Sequence, residues 1–422
     1  MLRTSRCRRL PLDTNKLSEL LGGWEGYRLG TVGRASQVEQ RGEKPEIWIE
    51  LHPDPQHPRR CGGCGQVVAA IHETTERWIR DLPILDADTW LLVHRVRVKC
   101  PECGPRVEQL DWLDARARFT RRFADSVVRL AALLPIKQVA QFYDLHWETV
   151  KRLHKEHLQR TLGPPDLTGI EVIAMDEFAI QKGQRYATVV VEPYRKQVLW
   201  VGRGRGREDI RPFYELLGAE GRARLKAVVM DMNGAYEAEM RAQCPQAEAV
   251  FDLFHVVAKY GREVIDRVRV DEANRLKHDQ AARKVVKGSR WLLLRNPDNI
   301  KRDEDRVRLA ELLAANRKLA KVYILKEDLK QLWDYRHVGY AWRFWLDWYR
   351  RAIRSRIEPL KTFARRLKEK IDGVLSHCRW PLHTSLLEGI NNKIKVIKRM
   401  AYGYRDDEYF FLRIRDAFPG IP

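Results

Sequence analysis

The chain has 422 residues, 44% of them hydrophobic, and carries 78 Lys+Arg against 57 Asp+Glu for a formal net charge of +21. This composition excludes a disordered basic tail and allows two to four domains with real cores; the lack of any 18-residue apolar run excludes a membrane span, and the basic start without an apolar run behind it excludes a secretory signal. Such a cation excess calls for a polyanionic partner, nucleic acid first, although ribosome-associated or membrane-surface proteins fit the charge alone.

The first part, to about residue 110, holds short β-like runs at 46–51 and 90–98, broken by Pro- and Gly-rich turns. Cys61-Gly-Gly-Cys64 and Cys100-Pro-Glu-Cys103 lie between and after them. A tetrahedral zinc needs four soft ligands, and each C-x-x-C lets one tight turn supply two sulfurs, with Gly65 and Gly104 easing the backbone. The doubled spacing points to a zinc ribbon, with a structural Zn2+ on Cys61, Cys64, Cys100 and Cys103; two unrelated reduced pairs, or one redox pair, are the alternatives. Seven cysteines in a chain this long do not make a secreted disulfide framework, so a reducing cytoplasm is expected.

The second part, about 111–163, has helical apolar spacing at 119–134 through Phe123, Val127, Leu130 and Leu134. A helix over 135–144, a turn at Leu145 and His146, and a helix from Trp147 follow, with Val139, Ala140, Leu145, Val150 and Leu153 as the expected seam. This is a helix-turn-helix pattern whose second helix offers Thr149, Lys151, Arg152 and Lys155 to phosphates and base edges. An ordinary helical hairpin with a solvated basic face is the plainer alternative. A Pro/Gly linker at 163–169 marks a domain boundary.

In the third part, apolar runs at 172–175, 186–191, 198–201, 227–230 and 250–251, with helical stretches near 211–217 and from about 255, give the order hairpin strands, crossover helix, strand, helix, strand, which predicts a mixed α/β sheet. Asp176 and Asp231 each close an apolar run. A carboxylate there must lie at the sheet's edge or hold a cation, because burying it unpaired is costly. A lone Asp231 reads equally as a turn residue before Asn233 and Gly234; two such aspartates in one sheet suit a hard-metal site.

The fourth part, about 262–380, is long, helical and basic, and its aromatic-rich centre (332–350) reads most simply as core rather than as a base-stacking platform. It leads to a helix with Leu387, Ile390, Ile394 and Ile397 on one face and Glu388, Asn391, Asn392, Lys395 and Arg399 on the other. An acid followed by cations suits a metal beside a phosphate backbone. Ser385 and Glu388 also fit a capping box, and the two readings stand level from this helix alone. Gly389 inside a helix costs about 1 kcal/mol relative to Ala, which predicts a close neighbour there.

Met175-Asp176-Glu177-Phe178, Met230-Asp231 through Tyr236, Phe251-Asp252-Leu253-Phe254-His255 and Leu387-Glu388 through Lys395, taken in order behind the ribbon and the helix-turn-helix, resemble the bacterial insertion-sequence transposases of the ISL-three family. The resemblance implies a multidomain chain: a zinc ribbon (1–110), a helix-turn-helix (111–163), and a ribonuclease-H-like α/β catalytic domain (164–268 and 381–422) interrupted by an all-helical insertion (269–380). It implies that Asp176, Asp231 and Glu388 form the metal-binding triad, holding two Mg2+ for which Mn2+ can substitute, with Asp252, His255, Asn391 and Asn392 in support. Lys395 and Arg399 are then candidates for the scissile strand. It further implies cleavage and joining of element ends on double-stranded DNA, binding of terminal inverted repeats and target DNA by a homodimer on paired ends, no membrane partner, and a cytoplasmic, nucleoid-associated location. A transposase-derived DNA-binding regulator and another nuclease of the same fold are the competing expectations.

Overall fold

The computed structural model describes residues 18, 21–35, 45–181, 183, 185–382 and 385–421, the side chains of Leu253 and Ser385 excepted. The chain divides into two compact units, Met1–His157 and Leu158–Pro422.

The first unit opens on a five-stranded sheet: β1 (Tyr27–Ala35), β2 (Glu46–Pro53), β3 (Ile71–Ile84), β4 (Ala87–Cys100) and β5 (Gly104–Val107), in the order β1-β2-β4-β3 with β5 pairing β4. Strand β4 alternates buried and half-buried residues from Ala87 through His94, and Leu91 and Val93 reach the core with Ile49, Leu51 and Ile79. Three helices follow: α1 (Arg121–Leu133), α2 (Ile136–Tyr143) and α3 (Trp147–Leu162). Thr120 caps α1 by accepting from the Phe123 amide at 3.3 Å. Asp144 ends α2 in the left-handed conformation, φ 49°. Of the expected seam, Val139, Ala140 and Val150 are buried against Phe123, Val127 and Ala131, with Leu145 and Leu153 packed partly exposed beside them.

In the second unit an antiparallel meander, β6 (Val172–Gln181), β7 (Arg185–Glu192) and β8 (Gln197–Arg203), leads through α4 (Arg207–Arg224), β9 (Ala227–Met230), α5 (Gly234–Gln243), β10 (Glu248–Phe251) and α6 (Leu253–Tyr260). The sheet order is β10-β9-β6-β7-β8, with β6, β9 and β10 mutually parallel. This is the expected ribonuclease-H-like arrangement. Strand β9 is buried along its whole length because helices cover both faces. Ile210, Phe213, Tyr214 and Tyr236 pack on the face presenting Met175 and Met230. Leu387, Ile390, Ile394 and Phe410 cover the face presenting Ala174, Val229 and Val250.

The helical tract runs through α7 (Asp266–Arg275), α8 (Gln280–Gly288), α9 (Arg290–Leu294), α10 (Asp303–Ala315), α11 (Arg317–Gln331), α12 (Val338–Ile353), α13 (Glu358–Lys368) and α14 (Ile371–Leu375), and returns to the sheet as α15 (Ser385–Met400) and α16 (Asp407–Ala417). Its aromatic centre is core at Trp345 and Trp348, which are buried and stacked at 5.3 Å, the Trp348 indole donating to the Leu325 carbonyl at 2.8 Å, whereas Tyr340 and Trp342 are exposed. Among the described residues no helix is long and apolar enough to cross a membrane.

Candidate active site

The four cysteine sulfurs of the first unit lie within 4.8 Å of one another. Two tight turns bring them there: the Gly65 amide donates to the Cys61 carbonyl at 2.8 Å, and Gly104, at φ 69°, reverses the chain from β4 into β5. Amides of Cys64 and Gly63 pull the Cys61 thiol down to about 7, while the neighbouring Cys64 sulfur pushes Cys103 up to about 12, so it is Cys61 that most readily offers the thiolate form that binds zinc. Four convergent sulfurs with closed turns fit a structural zinc ion. The other group of described residues close enough to share a cation is Glu50, His52 and His94. Its two imidazoles are stacked at 4.4 Å, so their nitrogen lone pairs run parallel and do not converge.

In the second unit, strand register sets the geometry. Ala174 pairs with Val229, and Met230 with Phe251. Just beyond these pairs stand Asp176, two past Ala174, Asp231, two past Val229, and Asp252, one past Phe251. They form one row across three adjacent strands, about 5 Å from strand to strand. Two-residue alternation turns all three toward the face covered by α15.

Asp176 does not close its strand, as the end of the apolar run had suggested. Strand β6 continues to Gln181 on its β7 side, while its pairing with β9 stops at Ala174. Asp176 therefore sits inside a strand whose other edge has just opened. Burial pushes its carboxyl up to about 6, with Asp231 and Asp252 adding repulsion against the opposing pull of His255. Its described partners are the Glu177 amide, at 2.8 Å, and the Asn391 side-chain amide, at 2.5 Å, with no Lys or Arg among them. The adjacent Glu177 turns the other way and pairs with Arg205 at 2.9 Å.

Asp231 accepts from the Asn233 amide at 3.0 Å, the turn role weighed for it, and Asn233 caps α5. The turn thus leads straight into α5, the helix expected between these two strands. Asp252 caps α6 by accepting from the Phe254 amide at 2.8 Å, and His255 Nε2 lies 3.7 Å from its carboxylate. Beneath the row, the buried Tyr236 hydroxyl is 2.7 Å from Thr188 Oγ1.

Asn391 joins α15 to the row, and Glu388 is one turn earlier on the same helix with its side chain exposed. The oxygens of Asp176, Asp231 and Glu388 do not all come within 4.8 Å of one another. Carboxylates repel, and a third beside two in register adds to a repulsion already present at Asp176. The capping-box alternative turns on the Ser385 side chain, which lies outside the described residues. Nothing packs close to Gly389, contrary to expectation: an added Cβ there would meet no atom within 4 Å, because α15 buries Leu387 and Ile390 and turns Gly389 to solvent. Asn392, Lys395 and Arg399 are exposed, and Lys395 Nζ reaches Asn392 Oδ1 at 3.4 Å. On α3, Arg152 is exposed and paired with Glu156 at 3.1 Å; Thr149, Lys151 and Lys155 are half-buried.

One cluster escaped the sequence reading. Glu239 of α5, 1% exposed, accepts from Arg207 at 3.2 Å and Arg211 at 3.0 Å, both of α4. A charge patterned between two helices leaves no signal within either.

A zinc-ribbon cluster, a helix-turn-helix and a ribonuclease-H-like sheet with acids across its parallel strand ends define a protein of the DNA-transposase class. Comparison with known proteins narrows this. Residues 173–414, more than half of the chain, match a family described as "Transposase"; residues 108–158 match "Helix-turn-helix domain of transposase family ISL3", and residues 57–103 match "zinc-finger of transposase IS204/IS1001/IS1096/IS1165". The chain is 52% identical over 406 residues to the transposase for insertion sequence element IS1001 of Bordetella parapertussis, covering 96% of this chain and 98% of that one. It is 26% identical over 403 residues to the transposase for insertion sequence element IS1557 of Mycobacterium tuberculosis, covering 88% of each. The chain belongs to the ISL3 family of transposases, and its helix-turn-helix is a DNA-binding element.

Proposed function

We propose that this protein is the transposase of an insertion sequence, cutting the element's ends and joining them to target DNA. The supporting observation is the row of Asp176, Asp231 and Asp252 at the parallel strand ends, tied through Asn391 to the helix that carries Glu388. Residues 1–110 and 111–163 bind the terminal inverted repeats, 164–268 and 381–422 carry the catalysis, and 269–380 form the insertion; paired ends are held by a homodimer.

The donor set fits hard divalent cations: hard oxygens in a row, with Asp176 half-buried and having no cationic side chain among its described hydrogen-bond partners. Asp176, Asp231 and Glu388 would hold two magnesium ions (or manganese), which would supply activation of the attacking oxygen and charge neutralisation at the scissile phosphate. The protein's own work is positioning. Asn391 fixes one oxygen of Asp176, the Glu177 amide fixes the other, and His255 orients Asp252 beside them. Lys395 and Arg399, exposed further along α15, lie against the cut strand. In-line displacement at phosphorus needs such positioning and charge more than any covalent partner.

The test incubates purified protein with Mg2+ and DNA carrying its element's ends, then maps the breaks. Asp176→Ala, Asp231→Ala and Glu388→Ala should each abolish cleavage and leave end binding nearly intact. Normal cleavage by the Glu388→Ala protein removes that residue from the site. Repression without any cleavage by the wild type would favour a regulator derived from a transposase.

A further inference from the structure

The helical tract carries a groove that the catalytic reading leaves unused. It has a volume of about 720 Å³ and lies between α11, which contributes Arg317, Lys321 and Ile324, and α12 with the residue that follows it, which contribute Asp347, Arg350 and Arg354. Arg317 and Lys321 stand one turn apart on one wall, and Arg350 and Arg354 one turn apart on the other, so each wall is a short ladder with rungs about 6 Å apart.

All four cations are exposed, and no carboxylate among the described residues pairs with any of them. The groove's one acid, Asp347, is taken by Arg351 at 2.9 Å, whose other end holds Asp328 at 2.6 Å. Some cations elsewhere in the tract are matched, as Arg269 with Asp266, Lys318 with Glu272 and Lys330 with Glu327, while others, such as Lys301, Arg302 and Arg308, stand without a described carboxylate partner but outside the groove. Four unneutralised charges around one concavity repel one another, weakly because water and salt screen exposed groups, and together they attract an anion from outside. The floor is apolar where Ile324, 54% exposed, faces the opening.

We propose that this groove is a second DNA-binding surface, gripping the sugar–phosphate backbone without reading its sequence; the inference rests on the transposase reading above. Guanidinium forks on two facing ladders suit a regularly charged strand, and Ile324 suits the apolar faces of its sugars. A net charge of +21 and a DNA-binding family favour this polyanion over an acidic protein surface.

The full-length Arg317→Ala/Lys321→Ala/Arg350→Ala/Arg354→Ala protein is titrated with repeat-bearing and scrambled duplexes over a range of salt. Every phosphate that the variant no longer neutralises should reduce the slope of log K against log salt by about 0.9, roughly 2 to 4 in all, equally for both duplexes. The ratio of their affinities should not change. The milder Arg350→Gln/Arg354→Gln protein should show about half the effect, which keeps the test decisive if the quadruple variant does not fold. A slope equal to the wild type's overturns the proposal and leaves the groove to an acidic protein. So does an equal loss in a Lys301→Ala/Arg302→Ala/Arg308→Ala control, which would mark a bulk-charge effect. The slope reads binding alone: a wild type that cuts nothing defeats the transposase reading while leaving the groove result standing.

Discussion

Asn391 is a neutral residue holding an acid that burial has already pushed up to about 6. Removing its amide frees Asp176 to rotate out of the row. Single-turnover assays should therefore show Asn391→Ala cleaving about 10–100-fold more slowly, the usual loss when a ligand's supporting partner is removed, with end binding unchanged. At the other functional cluster, Cys64→Ser leaves three sulfurs where four converge; the protein should come off purification with its zinc content lowered and its repeat binding abolished. Both clusters were legible as residue types at a spacing. The cysteines are legible down to their geometry, because two C-x-x-C turns fix the sulfurs locally. The carboxylates are not: Asp176 and Asp231 fall into one row only through strand register, and the helix that carries Glu388 reaches that row, through Asn391, only by docking from a distant part of the chain.

Among the elements, Glu239 shows how two helices can be fastened by charge. Its carboxylate, hydrogen-bonded first by Arg211 and then by Gln243 and Arg207, is held below the usual range. A depressed carboxylate stabilises the fold above its ordinary pKa near 4.5 and loses that contribution as pH falls through its lowered value. Denaturant melts at pH 7 should show Glu239→Gln less stable by about 1–2 kcal/mol, and the gap should close in acid below pH 4.5. The element pattern explains which strands were visible. Strand β4 alternates and was read nearly whole, whereas β3, with Glu73, Thr74, Thr75, Glu76 and Arg77 in succession, has no apolar period to detect. Its hairpin with β4 turns at Leu85, φ 57°, without the glycine or asparagine that usually marks such a turn. The start of helix α5 was hidden for a related reason: the asparagine and glycine that read as a turn are its cap and first residue.

At the scale of the whole molecule, each compact unit has a core of its own. Calorimetry should resolve two transitions, and a zinc chelator should lower only the one belonging to the unit with the four cysteines. A single transition that moves as a whole would contradict independent units. The layered sheet was foreseen from alternating strand and helix signals, and the helical tract from its length and charge. The packing of α15 onto the sheet followed from its apolar face, of which Leu387, Ile390 and Ile394 are buried as expected.

The interval between Asp231 and Glu388, filled by the helical tract, also orders events during synthesis. Domains fold from the N-terminus as the ribosome releases them. The ribbon and the helix-turn-helix are complete long before α15 emerges, so on the function proposed above a nascent or prematurely terminated chain would occupy an element's ends while lacking one of the acids for cutting them. Such fragments would act as competitors of the finished enzyme, and damage to DNA would be deferred until translation is nearly over.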